Sequence, residues 1–241
     1  MDVHQFERRI ETLEEVEPLW QLLVTFARER RGRYLGYQHL APIGAPDAHV
    51  QRVVSAGFSD DWIAFYLAAR ANGTTPVATH AERHGEPVYW TDIETLKDLT
   101  PEEERHLAAL RAAGLTDGLC IPVFGPAGRN GLFALTFQPG IARLPPEDLG
   151  AIHWACQTAH LRYCALLRPT IGEPPTLSRR EAEVLAWVAR GKSNACIGAI
   201  LGISAHTVDA HLRRIYLKMG VFDRISAALR GLGFGLIHSD V

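Results

Sequence analysis

The chain has little that could do covalent or metal chemistry. Cysteine occurs four times in 241 residues, at Cys120, Cys156, Cys164 and Cys196, with no CxxC pair among them. They show no metal-ligand spacing such as a zinc ribbon or finger needs, and scattered cysteines of this kind are expected as buried thiols in a reducing cytoplasm. No apolar run approaches the roughly 20 residues needed to span a bilayer, so no membrane partner is expected. The opening stretch MDVHQFERRIETLEE is too charged for a signal peptide. No nucleophile elbow, phosphate loop or metal-ligand spacing is present. An enzyme built on His80, His84, Cys120 or His153 is therefore the weakest reading, and no catalytic residue, metal or obligate cofactor is expected. Neither repeats nor low-complexity tracts occur.

What is present divides unequally by charge. The net charge of −2 conceals nine Lys/Arg against six Asp/Glu from Gly172 to Val241, or +3. The preceding residues carry 16 and 21, or −5. A basic segment joined to an acidic one suits a nucleic-acid binder with a partner domain that does not bind nucleic acid. The apolar fraction, 47%, is enough for sizeable cores.

Phe6, Ile10, Leu13, Val16, Trp20, Leu23 and Phe26 recur at helical spacing and predict one amphipathic helix face. Trp62, Phe65, Tyr66 and Ala69 predict another helix, and Pro101-Glu-Glu-Glu opens a third. The β-prone runs Leu119–Phe124 and Gly131–Phe137 flank Gly125-Pro-Ala-Gly-Arg-Asn and predict a hairpin. A last helix is expected from Leu144-Pro-Pro-Glu-Asp to about Leu167. Helices and antiparallel strands without βαβ alternation predict an α+β fold for residues 1–167, an α-β-α sandwich with a central antiparallel sheet. Residues 168–176 read as a proline-rich linker. Residues 177–241 read as a small all-α four-helix domain.

That second domain has the punctuation of a helix-turn-helix. Ser178 and Glu181 form a capping box, and Val184, Leu185 and Val188 face inward. Gly191 ends the first helix, Ser193-Asn194 starts the second, and Gly202-Ile203-Ser204 is a tight turn. The third helix buries Val208, Leu212, Ile215 and Met219, and Asp223 caps a fourth. The third helix is the recognition-helix candidate, because a helix fits the major groove of double-stranded DNA. His206, Thr207 and His211 are candidates for base contacts; Arg213, Arg214 and Lys218 are candidates for phosphate contacts. Glu181 reads as a cap rather than a DNA ligand.

Residues 177–237 resemble the C-terminal domain of LuxR-type transcriptional regulators. The resemblance rests on LSRREAEVL, ARGKSN, the run from Ile197 through ILGIS to Thr207-Val208, and HLRRIYLKMGV. Two residues depart from that pattern: Cys196 stands where the family often has an acid, and Asp209 where it often has lysine. A phosphorelay receiver would begin with an apolar strand ending in paired acids, which this chain lacks. Instead FSDDWIAFY, TPV, PVYW and GLTDG resemble the autoinducer-binding domain of quorum-sensing LuxR proteins.

The resemblance implies an acyl-homoserine lactone site between sheet and helices. It puts Trp62 at the position whose indole binds the lactone carbonyl, Tyr66 on the acyl pocket, and Trp90 packed on the ligand. Phe58 stands where the family has a tyrosine that binds the amide carbonyl. Thr75 stands where it has an aspartate that takes the amide N–H. The implied ligand is thus an acyl-homoserine lactone, a related molecule without that amide, or none. The implied assembly is a cytoplasmic homodimer on a near-palindromic promoter site. The alternative is an interaction protein that inhibits a related regulator by heterodimerisation.

Overall fold

The computed structural model describes residues 1–48 and 53–237. Their contacts divide them into two compact units. The first takes residues 1–40, 53–125 and 130–166; the second takes the loop segments 41–48 and 126–129 together with 167–237. The two loop segments are joined by an ion pair, Arg129 to Asp47 at 2.9 Å, with both side chains nearly buried. The final residues of the expected second domain, 238–241, lie outside the described residues.

The first unit opens with α1 (Val3–Glu11) and α2 (Val16–Arg28). The sequence pattern predicts one continuous helix here, and the structure breaks it. Thr12 closes α1, its hydroxyl donating to the Arg9 carbonyl at 2.9 Å. Pro18 then falls in the first turn of α2, where its missing N–H costs no helical bond. Phe6, Ile10, Trp20, Leu23 and Phe26 are buried as the periodicity requires. The sheet follows: β1 (Gly32–Leu40) and β2 (Val53–Ala56), then α3 (Asp60–Ala71), α4 (Pro76–His84), β3 (Val88–Tyr89), α5 (Ile93–Leu96), α6 (Pro101–Ala112), β4 (Gly118–Val123), β5 (Asn130–Phe137) and α7 (Pro146–Ile171). Its five strands run β2-β1-β5-β4-β3, every neighbouring pair antiparallel. The predicted hairpin is β4–β5.

Side chains alternate across the sheet. Tyr37 of β1 and Phe133 of β5 pack ring against tilted ring on one face, where Tyr37 also meets His160 and Tyr163 of α7. On the other face, Val77, Ala78, Trp90, Ile93, Leu107 and Leu110 pack with Cys120 and Leu132 into one core. The unit is therefore three layers, helix on sheet on helix, as the α+β reading predicts. Helix α7 continues through Pro169 to Ile171, so the start of the expected linker is helical. A proline in the last turn removes only one late helical bond, and the Thr170 hydroxyl donates to the Leu167 carbonyl at 2.7 Å.

The second unit holds α8 (Arg179–Ala189), α9 (Asn194–Leu201), α10 (Ala205–Met219) and α11 (Arg224–Gly233) around Val184, Leu185, Ile197, Val208, Leu212, Ile215 and Met219. Among the described residues, no single helix is long and apolar enough to cross a membrane.

Candidate functional site

Each helix of the second unit starts at a side-chain cap. Ser178, Ser193, Ser204 and Asp223 accept from the N–H groups of Glu181, Cys196, Thr207 and Ser226. Such caps satisfy donors that would otherwise be lost at the helix start, each worth about 1 kcal/mol. Gly202, in the left-handed conformation at φ 68°, ends α9. The chain then turns so that α9 and α10 cross at 106°, within the range for a helix-turn-helix. The turn packs closely on α9: a Cβ at Gly198 would lie 2.6 Å from the Ile203 carbonyl oxygen, so glycine permits the crossing.

The basic side chains of this unit are largely committed to its fold. Arg180 donates to the Leu201 carbonyl at 2.7 Å, and Arg224 donates to that of Lys192. Arg230 donates to that of Met219 at 2.8 Å, capping the end of α10. On α10, Arg213 pairs with Asp209 at 3.0 Å, one turn earlier. Lys218 pairs at 2.6 Å with the buried carboxylate of Glu181. Burial alone would raise the Glu181 carboxyl, but the bonds from Lys218 and Ser178 hold it below the ordinary carboxylate range. His206, Arg213 and Arg214 are exposed. Thr207 is half-buried, its hydroxyl 2.8 Å from that of Ser204. His211 is also half-buried, its Nδ1 shielded from solvent and without a hydrogen-bond partner among the described residues. Cys196 departs from the expectation of buried thiols: it is exposed on α9 beside inward-facing Ile197.

The first unit contains a cavity of about 70 Å³ between sheet and helices, lined almost wholly by apolar atoms. Phe58, Trp62, Tyr66, Thr75 and Trp90 all line it. Phe58 lies against Gly36 and packs edge-on to Tyr34, with ring centroids 5.6 Å apart. The Tyr66 hydroxyl donates to Gln38 Oε1 at 3.1 Å. Trp90 lies flat on β4, where a Cβ at Gly118 would come within 2.7 Å of its ring. Beside it, burial pushes the Cys120 thiol up to about 12. So shielded a thiol is a poor nucleophile. Thr75 caps α4 by position, yet its hydroxyl makes no capping bond. The residue is 1% exposed, and its Oγ1 has no hydrogen-bond partner among the described residues.

Sequence reasoning missed several lining residues, above all Gln38 of β1 and His106 of α6. His106 is buried and stacks on Phe65 at 5.5 Å, and its Nδ1 has no hydrogen-bond partner among the described residues. Burial lowers its pKa, so the ring is neutral at pH 7. No local pattern marks it; only the packing of α6 over α3 brings it to the cavity.

Two families match this chain. Residues 15–163 match the autoinducer binding domain, and residues 175–230 match the bacterial regulatory proteins of the luxR family. The HTH-type quorum sensing-dependent transcriptional regulator RpaR of Rhodopseudomonas palustris is 30% identical over 76% of this chain and 74% of its own length. The transcriptional activator protein AhyR of Aeromonas hydrophila is 27% identical over 74% of this chain and 70% of its own. In fold, the chain is similar to the crystal structure of Escherichia coli SdiA, with a TM-score of 0.72 at 21% identity over 98% of both chains. A structure of SdiA in complex with octanoyl-rac-glycerol gives a TM-score of 0.69 at 20% identity, covering 98% of this chain and 96% of that one. The matched relatives regulate transcription and are not enzymes, so the sensing cavity and the helix-turn-helix have a common reading: the chain belongs to the LuxR-type quorum-sensing transcriptional regulators, which join an autoinducer-binding domain to a helix-turn-helix DNA-binding domain.

Proposed function

We propose that this regulator acts as a homodimer on a near-palindromic promoter site and answers to an amphiphilic signal that lacks a secondary amide. The observation that carries the ligand reading is Thr75: a buried hydroxyl with no hydrogen-bond partner among the described residues, in a cavity whose lining is mostly apolar. A carboxylate there would accept an amide N–H in a charge-assisted bond, worth about 1.5–3 kcal/mol. A threonine hydroxyl accepts more weakly, but it can also donate to an ester carbonyl or a ligand hydroxyl. Phe58 offers no hydroxyl to an amide carbonyl. The Trp62 indole remains available to a polar head, while Phe58, Tyr66 and Trp90 provide apolar walls for a tail. The related SdiA fold has been seen with octanoyl-rac-glycerol, an acyl ester, which suits the same chemistry.

The test is a thermal shift of the full-length protein against matched octanoyl compounds, the homoserine lactone and the glycerol ester. The ester is expected to stabilise the protein more strongly at equal concentration, since a ligand that binds only the folded state raises its stability. Stronger stabilisation by the lactone at micromolar concentration overturns the proposal. For DNA, Arg214 and His206 are the proposed contacts of α10, with Arg213 available once Asp209 releases it. Lys218 is assigned to the fold instead. Two recognition helices would then lie about one helical turn apart. Light scattering and a gel shift on a near-palindromic site test the dimer; a monomer that binds a single half-site equally well overturns it.

A further inference from the structure

On the face of the sheet away from the sensing cavity, three metal-competent side chains meet in the core. His39 comes from β1, and His160 and Cys164 come from α7; all three are buried, and their donor atoms lie within 4.8 Å of one another. His160 and Cys164 stand four residues apart on one helix and so share a face. Cys164 Sγ lies 3.6 Å from His160 Nε2. In a tetrahedral site with metal–sulfur and metal–nitrogen bonds of about 2.3 and 2.0 Å, such a pair of donors is separated by about 3.5 Å. For this pair, the spacing that suits a thiol–imidazole contact also suits two ligands of one ion.

The ring of His160 is oriented for this role. Its Nδ1 lies 2.8 Å from the Tyr37 hydroxyl, which leaves Nε2 directed at the thiol. Metal-bound histidines are held in this way, through a hydrogen bond on the other ring nitrogen. Tyr37 is two residues from His39 on β1, on the same face, with its hydroxyl 3.4 Å from His39 Nδ1. A cavity of about 20 Å³ lies beside His160, lined by Tyr37, Tyr163 and apolar side chains.

We propose that His39, His160 and Cys164 form a binding site for one thiophilic metal ion, zinc or copper(I). Two imidazoles and a thiol with no carboxylate suit these ions and disfavour calcium or magnesium. On binding, the thiol proton is released to solvent as the sulfur takes the metal. The ion would tie β1 to α7, and β1 also forms a wall of the sensing cavity through Gly36 and Gln38.

The experiment uses the full-length chain, reduced and free of any histidine tag. Cobalt(II) serves as the coloured stand-in for zinc, and copper(I) is titrated against a chromophoric chelator. One equivalent of cobalt is expected to bind with a thiolate-to-metal charge-transfer band, which zinc then bleaches. Cys164→Ser should abolish the band, while Cys156→Ser, a buried cysteine on the same helix outside the cluster, should retain it. Tyr37→Phe should weaken binding about tenfold to a hundredfold, the usual effect of removing a partner that orients a ligand. Copper(I) binding without zinc or cobalt binding, with the same dependence on Cys164, supports the site and identifies the ion. If Cys164→Ser does not fold by near-ultraviolet circular dichroism, His160→Gln takes its place. Wild-type affinity in either folded variant, or folded wild-type protein that binds none of the three ions, overturns the proposal.

Discussion

Lys218 Nζ lies 2.6 Å from Glu181 Oε2, joining the end of α10 to the capping box of α8. A lysine on the outward side of α10 reads in sequence as a phosphate contact. Here it satisfies a carboxylate whose side chain is only 4% exposed. Lys218→Met should therefore cost stability of about 1–3 kcal/mol, as expected when a buried charged group loses its partner. It should leave the salt dependence of DNA binding nearly unchanged. Urea unfolding and a salt titration of binding separate the two effects; a reduced salt slope with unchanged stability would return Lys218 to the DNA surface. The Glu181 carboxyl is held below its ordinary range, so its contribution is present above about pH 4.5 and is lost as pH falls through the folded value.

Asp209 and Arg213 form the second ion pair on this helix, and it faces solvent. An exposed pair of this spacing is worth only about 0.3–0.5 kcal/mol to the helix. Its larger consequence is for DNA, because the aspartate neutralises one cation and would repel a phosphate. Asp209→Asn should leave the thermal midpoint within a degree or two and strengthen binding several-fold. It should also steepen the salt dependence by about one phosphate contact. Arg214→Ala should do the reverse, lowering the salt slope by about 1. Equal affinity of Asp209→Asn and wild type across salt concentrations would dissociate Asp209 from the interface.

The contrast between these residues shows what sequence can carry. The helix boundaries of the second unit are written in adjacent residues: Ser178 with Glu181, Gly202 before Ser204, Asp223 before Ser226. Each cap and its partner lie within four positions, so their chemistry is readable in the chain. Lys218 and Glu181 stand 37 residues apart, and no periodicity announces their pairing. The same holds in the first unit. Phe58, Trp62, Tyr66, Thr75 and Trp90 were legible through resemblance. Gln38 and His106 reach the same cavity only because β1 and α6 flank it. The break between α1 and α2 was marked by Pro18, but an unbroken apolar spacing concealed it. The His160–Cys164 pair has helical spacing in plain view, yet it gains meaning only when His39 arrives from a distant strand.

Thr75 offers a direct conversion. Thr75→Asp with Phe58→Tyr supplies a charged acceptor and a hydroxyl where the related receptors are expected to hold the amide. The double variant should gain about tenfold to a hundredfold in affinity for octanoyl homoserine lactone, the range of one to two good hydrogen bonds. Its preference for the glycerol ester should fall in parallel. Without ligand it should be less stable than wild type, because an unpaired carboxylate would then be buried. Ligand-dependent thermal shifts measure all three effects. A double variant that is folded, and that favours the ester as wild type does, would show that Thr75 and Phe58 do not select the head group.

His106 is expected to make the first unit sensitive to mild acid. Burial lowers its pKa from the ordinary 6.5, and His153 on α7 is lowered for the same reason. The unfolded chain takes up protons near pH 6.5, while the folded chain resists until lower pH. Stability is therefore full above 6.5 and declines as pH falls through the interval down to the folded values. His106→Leu removes a buried nitrogen that has no partner among the described residues, so at pH 8 the variant should be at least as stable as wild type. Between pH 7 and 5.5 it should lose less stability than wild type does, with His153 accounting for a remaining part. Thermal midpoints across this range provide the check: parallel curves for the two proteins would mean that His106 takes up its proton equally in both states, and that the acid response arises elsewhere.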